Sequence, residues 1–172
     1  MLECCDVPLE NIMANEHKPG GVCCLVTEVT DAPLRADCPQ SKTSSRKIQR
    51  RTIEHLIKPE LVGSISISQY YYCDDADCPV VYFSQDSSGT FTKSDLQVAV
   101  FTKDPGKDVN VCYCFDWTRG RIEEEIEETG TSTASREVAE KVQAGLCECD
   151  IKNPKGTCCL GDLNRVVAAL QE

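Results

Sequence analysis

The sequence predicts an α+β chain: a small β-rich module, then a short helical one. Two patterns carry that prediction. Between residues 65 and 101 apolar residues alternate with polar ones or form short β-favouring runs, as in Tyr70-Tyr71-Tyr72. After residue 115 they recur at three- and four-residue spacing, as in Leu163, Val166, Val167 and Leu170. A third observation divides the chain chemically. Thirteen cysteines in 172 residues is far above ordinary usage. Cys38, Cys73 and Cys78 fall among the strands, and Cys112, Cys114, Cys147, Cys149, Cys158 and Cys159 among the helices. With only 6% aromatic residues the core is modest, so bound metal is expected to supply stability as well as chemistry.

Composition excludes several classes. A net charge of −10 argues against nonspecific nucleic-acid binding, which needs basic surface, and suits a solvated acidic surface or a basic partner. No apolar run approaches membrane-spanning length, so the chain is not expected to span a membrane. The start, Met-Leu-Glu-Cys-Cys-Asp, lacks the basic and apolar regions of a secretory signal. A cytoplasmic location is therefore expected, and cysteines there read as metal ligands rather than disulfides. The odd count rules out complete pairing within the chain in any case. Two histidines, no phosphate-binding glycine loop and no Ser/His/Asp arrangement leave no strong constellation for catalysis. An electron carrier, a metal chaperone or a redox sensor is expected rather than a stand-alone enzyme.

Residues 1–35 read as an N-terminal extension. It carries Cys4-Cys5, His17, Cys23-Cys24 and a short strand from Val22 to Val29. Its paired thiols are either soft-metal ligands for Cu(I) or zinc, or free thiols on a plain extension. Residues 36–103 form the β-rich module. It opens with the Cys38-Pro39 turn and a basic strand or loop face from Ser44 to Arg51. Thr52 to Ile57, containing His55, is a short apolar-rich segment. Ile65 and Ile67 alternate with serines and predict a strand, as do Tyr70–Tyr72, Val80–Phe83 and Leu96–Phe101. Cys73 and Cys78 flank a short acidic turn, a knuckle that can present two thiolates to zinc, with Cys38 as a third.

Asp104-Pro-Gly-Lys-Asp108 is the link to residues 109–172, the helical module. An extended Cys112-Tyr-Cys114 points both sulfurs to one side. Asp116 or Thr118 caps a helix reaching Thr129, stopped by Gly130, with Ile122 and Ile126 inward. Glu123, Glu124 and Glu125 form its solvated face. A second helix runs from Ala134 to Ala144, with Val138 and Val142 inward and Gly145 after it. The Asn153-Pro-Lys-Gly156 turn lets Cys149 and the Cys158-Cys159 doublet return two more sulfurs. Four thiolates in two pairs suit a [2Fe–2S] cluster. Adjacent side chains diverge, so one of Cys158 and Cys159 at most reaches iron. Cys159 lies nearer the terminal helix, whose first N–H groups favour a more negative cluster.

The order Cys112-x-Cys114, helical stretch, Cys149-x4-Pro154-x-Gly156-x-Cys158-Cys159-Leu160-Gly161-Asp162 resembles the [2Fe–2S] half of the CopZ-type copper chaperones, itself similar to bacterioferritin-associated ferredoxin. A preceding block resembles the zinc module of the same family. It comprises Cys38-Pro39, Thr52-Ile53-x-His55-Leu56-Ile57-Lys58-Pro59-Glu60, and Tyr72-Cys73-x4-Cys78-Pro-Val-Val-Tyr-Phe83. The resemblance implies cluster ligands Cys112, Cys114, Cys149 and Cys159, with Cys147 and Cys158 free. It implies zinc ligands Cys38, Cys73 and Cys78. The family's second cysteine, three residues after the first, is Ser41 here, so the fourth sulfur is expected from Cys23 or Cys24, with Asp77, His55 or water in reserve. It also implies copper homeostasis through one-electron transfer or Cu(II) reduction, with Cu+ as a further ligand. A copper-transporting ATPase or a redox partner protein would be the partner. No Cys-x-x-Cys copper loop occurs in these residues. A ferredoxin-like subunit of an oxidoreductase and a metal-stabilised redox-sensing module are the alternatives.

Overall fold

The computed structural model describes residues 32–171. Strands β1 (Arg35–Asp37), β2 (Ser44–Ile48), β3 (Tyr70–Tyr72), β4 (Val80–Ser84) and β5 (Thr90–Thr92) form one antiparallel sheet in sequence order. Helix α1 (Arg50–Leu56) lies between β2 and β3 in the chain. Its Ile53, with Ile48, Ile57, Tyr70, Tyr72, Phe91 and Val100, makes one hydrophobic core. The tyrosine run shows how strand alternation divides the sheet's two faces. Tyr70 and Tyr72 enter that core, while Tyr71 joins Phe83, Val80, Cys38, Cys73 and Cys78 in a second cluster. Tyr71 stacks on Phe83 with centroids 5.6 Å apart, so the cysteines sit on an aromatic floor.

Two expected strands do not form. Ile65 is buried but Ile67 is 88% exposed, so the residues share no face. A 3₁₀ turn over Pro59–Ser64 leads into an irregular stretch, where the Tyr70 hydroxyl accepts the Ser66 backbone N–H at 3.1 Å. Leu96–Phe101 touches a neighbour in strand fashion only through the Leu96–Ile57 bridge. Side chains and the α1 end supply its partners instead. The Gln97 N–H donates to the Leu56 carbonyl, the Val100 N–H to the Asp104 carboxylate, and the Phe101 N–H to the Tyr113 hydroxyl. Backbone donors need partners, and these need no sheet edge.

The second half begins with a short hairpin of β6 (Asn110–Cys112) and β7 (Trp117–Thr118). Helices α2 (Arg119–Thr129), α3 (Ala134–Gln143), α4 (Cys149–Lys152) and α5 (Leu160–Leu170) follow. The α2 ends match expectation. Thr118 accepts the Arg121 N–H, and Gly130 takes φ 79°, a left-handed stop that a side chain would resist. Ile122, Val138, Leu163 and Val167 meet in a third core around Trp117. Leu170, expected in the same stripe, is 38% exposed because the helix ends there.

The two halves abut. The Thr52 hydroxyl on α1 donates to the Asp150 carbonyl at 2.6 Å, Tyr82 to the Pro154 carbonyl at 2.9 Å, and Arg51 pairs with Asp150 at 3.0 Å. Gly156, at φ 64°, lets the turn approach α1: an added Cβ would stand 3.2 Å from the Thr52 hydroxyl. The turn before Cys158 is thus seated on the sheet's helix.

Candidate metal centres

The first centre is assembled by two loops. Cys38 leaves β1 into a tight turn closed by the Cys38 N–H to the Thr43 carbonyl and the Lys42 N–H to the Cys38 carbonyl. Lys42 takes a positive φ of 61° there. The knuckle after β3 presents Cys73 and Cys78, shaped by Asp75, whose carboxylate accepts the Asp77 N–H at 3.0 Å. The Thr43 hydroxyl donates to that carboxylate at 3.1 Å and ties the loops together. The three thiols are buried and all lie within 4.8 Å of one another. Cys38 and Cys78 sulfurs are 3.9 Å apart. A tetrahedral ion with Zn–S bonds of about 2.3 Å has an S···S edge of about 3.8 Å, so the donor set fits zinc.

Two neighbours complete this environment: Ser41, already marked by its place in the family's cysteine pattern, and Lys103. The Ser41 hydroxyl lies 3.5 Å from the Cys73 sulfur, and the Thr43 N–H donates to it at 3.4 Å. Lys103, only 6% exposed, sends its ammonium to the Asp75 and Cys78 carbonyls, the latter at 3.0 Å. Burial pushes the Cys38 thiol up, but hydrogen bonds from the Ser41 backbone and hydroxyl and from Gln40 outweigh it and leave the pKa lowered. Burial dominates at Cys73 and raises it. Lys103 carries no sequence signal at all. His55 is exposed on α1, its Nδ1 2.7 Å from the Arg51 carbonyl, and is not part of the thiol group. Cys23 and Cys24 lie outside the described residues.

The second thiol group draws on four segments. Cys112 ends β6, Cys114 sits in the following turn, Cys149 opens α4 and Cys159 precedes α5. The turn replaces the extended Cys112-x-Cys114 expected from sequence. Asp116 there takes a φ of 52°, which lets the chain reverse into β7. Cys114 and Cys149 sulfurs are 3.6 Å apart, and Cys114 also accepts the Glu148 N–H at 3.3 Å. Cys112, Cys149 and Cys159 are buried together in the core around Trp117. Interaction with the Cys159 thiol draws Cys112 down to about 7 and Cys149 down to about 5, while the pKa of Cys159 itself rises strongly. Burial holds Cys114 up at about 12. Cys147 is half-buried beside this group, and Cys158 is exposed.

Fold and first site together define a metal-binding α+β protein with a zinc-type cysteine site on one face of its sheet. Residues 35–97 match the CopZ-type family described as a zinc binding domain. The copper chaperone CopZ of Archaeoglobus fulgidus is 30% identical over 130 residues, 75% of this chain and 60% of that protein. The chain thus spans about three fifths of the length of that curated relative. The X-ray structure of the A. fulgidus CopZ N-terminal domain superposes with a TM-score of 0.63 at 30% identity, covering 76% of this chain and 97% of that one. The chain belongs to the family of the CopZ N-terminal domain. Among the described residues, no helix is long and apolar enough to cross a membrane.

Proposed function

We propose that this is a cytoplasmic redox protein of copper handling. It pairs a zinc centre at Cys38, Cys73 and Cys78 with a [2Fe–2S] centre at Cys112, Cys114, Cys149 and Cys159. The observation that carries the reading is the gathering of those last four cysteines from four separate segments around the Trp117 core, with the Cys114 and Cys149 sulfurs 3.6 Å apart. Ionising all four requires cationic charge among them, and thiolate-rich sets of this kind suit iron–sulfur clusters. A bound cluster would supply single electrons.

The chain's own residues prepare that site. The Glu148 N–H already donates to the Cys114 sulfur, stabilising negative charge there. Cys159 stands at the start of the eleven-residue α5, where unpaired backbone N–H groups favour anions. Trp117, Val111 and Ile122 exclude water behind the sulfurs. Exposed Cys158 and half-buried Cys147 are left as free thiols. A reducing protein partner would deliver the electron, and Cu(II) is the acceptor that the kinship with a copper chaperone favours, Cu+ being the product handed on. The copper-transporting ATPase is the matching downstream partner.

Iron, sulfide and zinc analysis of anaerobically purified protein tests the reading, with visible absorption and electron paramagnetic resonance after reduction. Coloured protein with iron and sulfide in equal amounts supports it. Colourless protein carrying zinc alone sinks the redox function.

A further inference from the structure

The Ser41 hydroxyl stands beside the thiol group, against Cys73. For Zn–S and Zn–O bonds of about 2.3 and 2.0 Å, the S···O edge of a tetrahedron is about 3.5 Å. The Ser41 oxygen lies 3.5 Å from the Cys73 sulfur. On the same side a pocket of about 230 Å³ opens to solvent, lined by Gln40, Ser41, Asp75, Asp77, Cys78 and Pro79. Structural zinc sites are closed by four protein ligands, whereas sites that exchange ligands keep one position open. Among the described residues this centre offers three thiols, a hydroxyl and an open approach.

We propose that the zinc here is held by three thiolates, with a fourth position on the Ser41 side that is occupied by an exchangeable oxygen and accepts a small thiol. Three thiolates already overcompensate the zinc charge. The Ser41 hydroxyl therefore keeps its proton and binds weakly, as a hard neutral donor beside soft anions. An incoming thiol forms a Zn–S bond, releases its proton to solvent and breaks the Zn–O bond, with no change of oxidation state. The added negative charge faces the buried Lys103 ammonium beneath the knuckle. The pocket is smaller than the roughly 300–1,000 Å³ of drug-sized sites, which suits a small molecule. Asp75 and Asp77 on its rim select against acidic thiols and favour neutral or amine-bearing ones.

The inference rests on zinc occupying this centre. The test is zinc K-edge X-ray absorption on the anaerobically purified full chain, with zinc content measured on the same sample. Wild type is expected to show three sulfurs and one light atom, and four sulfurs after excess 2-mercaptoethanol. Ser41→Cys is expected to show four sulfurs without added thiol and no change on adding it. It should also release zinc to a chelator at least about tenfold more slowly, given that even outer-shell changes alter metal affinity 10–100-fold. Cys23→Ser/Cys24→Ser should match wild type throughout. Four sulfurs in untreated wild type, falling to three in that double variant, would place the fourth ligand in the N-terminal segment and overturn the proposal. A sulfur count that 2-mercaptoethanol leaves at three overturns it too. A preparation without zinc overturns the zinc reading itself, and this proposal with it.

Discussion

Lys103→Met removes a buried charge while keeping most of the side chain's apolar stem. The ammonium it deletes donates to the carbonyls of Asp75 and Cys78, the two residues that bend the knuckle around the second and third thiols. Hydrogen bonds from a charged donor contribute about 1.5–3 kcal/mol each, and carbonyls left dry and unpaired add to the loss. Some of this returns as the loop relaxes and water enters, and part of it is shared with the metal-free state. A net weakening of zinc binding by about 2 kcal/mol, roughly 30-fold in Kd, is the expected outcome. The size agrees with the 10–100-fold typical of outer-shell changes at metal sites. Competition against a chromophoric zinc chelator measures it. Lys93→Met serves as control, because Lys93 forms a surface pair with Asp104 at 2.6 Å and is 43% exposed. A Lys103→Met protein whose zinc affinity stays within about twofold of the control, against roughly 30-fold expected, would refute the reasoning.

Cys159→Ser is expected to lose or strongly perturb the cluster's visible absorption and its resonance after reduction, whereas exposed Cys158 tolerates the same change; the opposite pattern would move the ligand to Cys158. Trypsin should cut the 104–108 stretch at exposed Lys107 and spare buried Lys103, and the pieces should co-elute because Thr52, Tyr82 and Arg51 hold the 150–154 stretch. Immediate separation of the fragments in size-exclusion chromatography would contradict that docking. Glu125 reaches from α2 to accept the Ser132 and Thr133 hydroxyls and the Thr133 N–H at the start of α3. Burial works to raise its pKa, but those bonds outweigh it and leave the carboxyl lowered. Its contribution is therefore complete above the ordinary glutamate pKa and fades as pH falls through the lower folded value. Glu125→Gln should cost about 1 kcal/mol in urea unfolding at pH 7, a difference that narrows in acid.

Features that depend on near neighbours along the chain are legible from residue order alone. Helix α2 is legible because Thr118 and Gly130 mark its ends and Ile122 its inner face, all local consequences of capping and 3.6-residue periodicity. Tyr70–Tyr72 and Val80–Phe83 read as strands for the same reason. The spacing of Cys73 and Cys78 about an acidic turn pointed to a knuckle before any partner was known. Local pattern failed where distant groups took over the backbone. Leu96–Phe101 alternates like a strand, yet its donors go to Asp104, Tyr113 and the end of α1. Ile67 alternates with Ile65, yet the chain turns between them and leaves it in water.

Only the tertiary structure decided which sulfurs meet. Cys38 and Cys78 are forty residues apart in sequence and 3.9 Å apart in space, a distance set by the pairing of β1 through β4 rather than by either loop. The same holds for Cys114 and Cys149, brought to 3.6 Å by the packing of α2, α3 and α5 around Trp117. Lys103 beneath the knuckle and Ser41 beside Cys73 follow from that pairing as well. Their residue types are ordinary on a surface, and only the direction in which the fold points them makes them part of a metal site.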